Sequence, residues 1–96
     1  MEYAEKAYAL APDAAPILDT LGWILVEQGN TARALPLLQK AVSLAPASPD
    51  IRYHLAAALA KSGDNAMARK ELAQVLDSGK TFAGMDEAKA LQKKLQ

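Results

Sequence analysis

His54 is the single histidine of this 96-residue chain, and its chemistry depends on neighbours the sequence does not supply. Metal binding or proton transfer needs cysteines, further histidines or paired carboxylates at short spacing. The chain has no cysteine, and His54 stands in the run "DIRYHLAAALA". Ser43, Ser48, Ser62 and Ser78 fall at the ends of helical patterns or in turns, where local hydrogen bonding by serine is ordinary. No Gly-rich phosphate loop, nucleophile elbow or metal-ligand cluster is present in the sequence. The residues therefore point to no catalytic group, no metal and no cofactor. What they offer is Trp23 and Tyr53, large aromatics of the kind that anchor partners at interfaces.

The bulk composition narrows the class. Hydrophobic residues make up 51% and charged residues 23%, a globular balance rather than a disordered one. A formal charge of zero gives no net field for nucleic acid or an anionic membrane, and "QKKLQ" is too short to act as a basic patch. No apolar run approaches the roughly 20 residues that span a bilayer. Aromatics are only 5%, which suits closely packed helices and argues against a β-sandwich. Charge pairs within "EYAEK" and "ARKEL" support a solvated helix face.

An internal repeat sets the architecture. At an offset of 34, Ile17 meets Ile51, Leu21 meets Leu55, Leu25 meets Leu59 and Gly29 meets Gly63. Ala34 meets Ala68, Leu38 meets Leu72 and Pro12 meets Pro46. A fixed period of that length predicts stacked helical hairpins, because one hairpin cannot bury its own apolar face. In the first copy Ile17, Leu18, Leu21, Ile24, Leu25 and Gln28 follow a 3-4 spacing and predict one stripe. Gly29-Asn30 stops that helix, with Asn30 or Thr31 as cap of the next. The second helix carries Ala34, Leu35, Leu38, Ala41, Val42 and Ala45, and Pro46 ends it. Gly22 and Ala56 are expected where helices cross, facing Ala34 and Ala68. Pro36, beyond the first turn of its helix, predicts a kink or a tightened turn on the outer surface. The helices expected are 2–11, 15–28, 31–45, 49–62, 65–77 and 84–95, with no strand.

The spacing of Leu18, Leu21-Gly22, Leu25, Ala34, Leu38, Ala41 and Pro46 resembles the tetratricopeptide repeat. The second copy departs from it at Arg52, where the family prefers a bulky apolar residue, and at Lys80, where it prefers Pro. The resemblance implies an all-α solenoid of about two and a half repeats: 1–14 as the second helix of a truncated repeat, 15–48 and 49–82 as full repeats, and 83–96 as a capping helix. It implies a concave groove lined by Pro16, Asp19, Trp23, Val26 and Glu27, then by Asp50, Tyr53, Ala57, Ala60 and Lys61. Asp19 and Trp23 stand where family members that clamp a carboxylate carry Lys and Asn, so that clamp is not expected.

The function implied is a non-enzymatic scaffold or adaptor holding a partner peptide or helix. The competing reading is a structural cap of a longer array, binding nothing. The wording of the repeats further resembles the C-terminal repeats of lipoproteins that accompany bacterial exosortase (PEP-CTERM) sorting systems. That would imply a periplasmic or outer-membrane-associated parent in exopolysaccharide or protein sorting; otherwise a cytoplasmic one is expected. The start at the second helix of a repeat predicts a cut array, whose Tyr3, Ala7, Tyr8 and Leu10 edge frays or pairs weakly with a second copy. No nucleic acid and no membrane insertion is expected of this segment.

Overall fold

The computed structural model describes residues 14–77 and 84–95. Within them the chain forms α1 (Ala15–Glu27), α2 (Thr31–Leu44), α3 (Pro49–Lys61), α4 (Asn65–Asp77) and α5 (Met85–Leu95), with no strand among the described residues. Each boundary lies within one residue of the pattern-based expectation. The expected helix 2–11, with its truncated edge, lies outside the described residues.

Both hairpins turn by one device. Gly29 and Gly63 adopt φ of 81° and 95°, a left-handed conformation that a side chain would strain. Each lets the next amide reach back over the helix end: Asn30 N–H donates to the Leu25 carbonyl at 2.8 Å and Asp64 N–H to the Leu59 carbonyl at 2.9 Å. The glycines' own amides donate to Val26 and Ala60, which completes the paired Schellman bonds. Helix starts differ. Asp64 accepts from the Met67 amide at 3.2 Å, capping α4 through its side chain. Asn30 holds the N-cap place of α2 without a side-chain bond, and Thr31 is already the helix's first residue, so the expected cap there is absent.

Three apolar clusters join the hairpins into a solenoid. The central one gathers Leu21, Leu25 and Val26 of α1, Ala34 and Leu38 of α2, Leu55, Ala58 and Leu59 of α3, and Ala68 of α4. Leu18 meets Ala41 and Ile51 in a second cluster. Ala56, Leu72 and Ala88 bring α5 onto α3 and α4 in a third. The buried sector of α1 is wider than a stripe and displaced from the expected one. Gln28 is exposed, Ile17 and Ile24 are half-buried, and Gly22 and Val26 are buried instead. The cause is that α1 packs against both α2 and α3, so residues on two sides of the helix are covered.

Gly22 does sit at a close crossing, but the side chain it admits is Leu38. A Cβ at Gly22 would lie 2.7 Å from Leu38 Cγ and 2.9 Å from Cδ2. The next repeat packs Ala56 with Leu72, the equivalents of this pair. Arg52, foreign to the apolar preference of its place, is accommodated by charge. Its Nη1 lies 2.6 Å from Glu71 Oε2, joining α3 to α4, and its Nη2 donates to the Pro46 carbonyl.

α2 runs unbroken through Pro36, whose ring is exposed. An interior proline removes one helical hydrogen bond and costs up to about 3 kcal/mol relative to alanine. Pro36→Ala is therefore expected to stabilise the domain by about 1–2 kcal/mol, raising the melting temperature by at least roughly 4 °C. An unchanged or lower melting temperature would mean that α2 is adapted to the proline.

Candidate functional site

Trp23 lies two residues before Leu25, about 160° round the helix from it. It is half-buried, with its ring packed against the central core from outside. Docking of α3 beside α1 places His54 flat against it: the ring centroids are 4.3 Å apart and the planes 25° apart. Tyr53 completes the set, 6.2 Å from Trp23 and 5.7 Å from His54, tilted to both. Stacked or tilted rings at these separations attract by about 0.5–1.5 kcal/mol beyond the area they bury.

His54 is oriented from its other side by Asp19, one turn before Trp23 on α1. Nδ1 donates to Asp19 Oδ1 across 2.6 Å, both side chains being largely shielded from water. A carboxylate only accepts, so the hydrogen of this bond sits on Nδ1. Asp19, His54 and Trp23 thus form a chain of fixed contacts from α1 to α3 and back. Among the described residues the hydrogen bond recorded for the His54 side chain is the one to Asp19. What the pair can do is hold an aromatic platform still.

Beyond that platform opens a cleft of about 460 Å³, within the range of ligand-holding pockets. Trp23 and Tyr53 line it together with Ala57 and Ala60 of α3. Leu91 and Leu95 of α5 also line it, and Lys61, Asn65 and Lys94 are its polar members. Burial pushes the Tyr53 phenol above its ordinary value of 10.0, and the Glu87 carboxylate on α5 adds to the shift. Above pH 10 the unfolded chain gives up this proton while the folded one keeps it, so stability declines as pH rises until Tyr53 itself ionises. Glu87→Gln is expected to narrow that alkaline window; an unchanged tyrosinate absorbance titration would contradict it.

Of the residues expected in the groove, Trp23, Tyr53, Ala57, Ala60 and Lys61 line this cleft. Asp19 is reached only through His54. Val26 is a correction: it is fully buried in the central cluster, because α3 docks over that side of α1. Glu27 and Asp50 are exposed at the ends of their helices, and neither they nor Pro16 line the cleft. Five contributors were missed: His54, Asn65, Leu91, Lys94 and Leu95. His54 is adjacent to Tyr53 in sequence, and its link to Asp19 spans 35 residues, beyond any local pattern. Leu91 and Leu95 lie one turn apart on α5, and helical spacing does not name the surface they meet. Lys94 and Asn65 carry no sequence signal that sets them apart from other exposed residues.

No described helix is long and apolar enough to cross a membrane. The family model for the tetratricopeptide repeat matches residues 25–95. The chain is also 35% identical over 83 residues to a TPR repeat-containing thioredoxin, TTL4, of Arabidopsis thaliana, a match covering 86% of this chain and 12% of that protein. The chain thus spans about an eighth of that relative's length. Tetratricopeptide repeats generally mediate protein–protein interaction and generally carry no catalysis of their own. Paired glycine turns at a period of 34, small residues where helices cross, and a family match over most of the length lead to one conclusion: the chain belongs to the tetratricopeptide repeat family.

Proposed function

We propose that this segment is a non-enzymatic scaffold whose groove holds a peptide or helix of a protein partner, with Trp23 as its central anchor. The observation that carries the reading is a half-exposed tryptophan, stacked on His54 and opening onto an apolar cleft. Aromatic anchors in such settings dominate binding energy where interfaces have been dissected. Asp19, Tyr53, Ala57 and Lys61 belong to the same site; Glu27 and Asp50 would reach a partner only beyond the cleft. Selection of displayed peptides on the intact domain tests it. Selected peptides should lose binding to Trp23→Ala while that variant stays folded. Peptides that bind both proteins equally would overturn the proposal.

The competing reading, a cap with no ligand, draws on the covered part of Trp23 and on α5 lining the cleft. It requires Trp23→Ala to act mainly on stability. The repeats' resemblance to exosortase-associated lipoproteins extends the proposal to a bacterial, envelope-associated parent, which localisation of the full-length protein would test.

A further inference from the structure

The cleft has a charge pattern that narrows its occupant. Its two ionisable lining groups besides Tyr53 are both ammoniums: Lys61 in the last turn of α3 and Lys94 in the last turn of α5. Both are exposed, and neither has an ion-pair partner among the described residues. The carboxylate nearest by its electrostatic effect, Glu87, acts on Tyr53 and lies about 10 Å before Lys94 along α5. Asp19 is already engaged by His54. At the end of α5, the Leu95 carbonyl accepts from Arg69 Nη1 at 2.9 Å, so the helix's negative terminus is partly met by a guanidinium instead of drawing on Lys94. The cleft is lined by apolar side chains and by two cations, Lys61 and Lys94.

Resting on the groove reading above, we propose that the cleft takes one large apolar side chain of a partner peptide, flanked on one side by a side-chain carboxylate. In this assignment α5 is part of the binding site: Leu91 and Leu95 line the cleft with Trp23, and Lys94 joins Lys61 in pairing the acid. Two ammoniums held apart on different helices suit an acidic side chain next to the anchor.

The test uses short synthetic peptides blocked at both ends, with a central Phe followed by two Glu in an otherwise neutral host. Comparison peptides replace the Glu pair by Lys, or replace Phe by Ala, which should abolish binding. A last one carries no Glu and ends in a free carboxylate after Phe. Calorimetry on the 96-residue chain should show the first peptide binding about tenfold tighter than the Lys peptide, since two exposed attractions become repulsions. That preference should shrink with salt, disappear in Lys61→Glu and Lys94→Glu, and persist in Lys89→Glu, which lies outside the cleft. Equal binding of acidic and basic peptides, an equal affinity for the free-carboxylate peptide, or no binding of any of them would overturn the proposal. If charge makes no difference while Trp23→Ala still abolishes binding, the groove reading survives and this inference alone fails. Binding indifferent to Trp23 would defeat the groove reading itself.

Discussion

Gly22→Val is expected to destabilise the domain by about 3 kcal/mol, the upper end of overpacking costs, and to lower its melting temperature by more than roughly 10 °C. The space a side chain would need is occupied by the branch point of Leu38, which is fully buried and cannot swing into solvent. Relief would require α1 and α2 to separate, and their contact is the spine of the first hairpin. Gly22→Ala is a milder trial. Its Cβ would still meet Leu38 Cγ, but alanine gains about 1 kcal/mol of helix propensity, so the net change should stay within about 1 kcal/mol of zero. The second repeat already carries Ala56 at the equivalent crossing, packed with Leu72. Urea denaturation followed by circular dichroism separates the variants. A Gly22→Val protein as stable as its parent would mean that the two helices do not approach as described.

Trp23→Ala carries the second large effect, on binding. Loss of a central aromatic anchor typically costs at least about 2 kcal/mol, roughly a thirty-fold weaker complex. The same change also removes the stack on His54 and uncovers part of the core behind it. The stability cost is therefore expected at about 1–2 kcal/mol, above the value for a freely exposed residue and below that of a core aromatic. The bracing of Trp23 by His54, itself held by Asp19, is what raises the figure above that of an exposed residue. A stability loss of roughly 3 kcal/mol or more, with binding little changed, would favour the capping role.

The fold was readable because its determinants are local and occur twice. Gly29 and Gly63 announce the hairpin turns, and a small residue recurs at Gly22 and Ala56. The 3-4 spacing of leucines marks each helix to within a residue. The burial of Val26 was not readable: it depends on how many neighbours α1 has, and a single-helix pattern assumes one. The site divides in the same way. Trp23, Tyr53, Ala57 and Lys61 follow from repeat register, since each lies on the first helix of a hairpin. The Asp19–His54 bond and the lining by Leu91 and Leu95 arise from contacts across 35 residues and from a separate helix, and no periodicity encodes them. Arg52 shows the converse. Its charge read as a departure from the family, yet Glu71 on the next helix makes it a tie.

Trp23 is the only tryptophan in the chain, so its emission reports on the cleft without interference from another indole. The most direct measurement is a fluorescence titration with a peptide whose binding has been established independently by calorimetry. Occupation of the cleft should exclude water from the exposed face of Trp23, shifting its emission to shorter wavelength along the calorimetric binding curve. A peptide that saturates the protein by calorimetry while leaving the Trp23 emission unchanged would contradict the claim that this groove is where the partner binds.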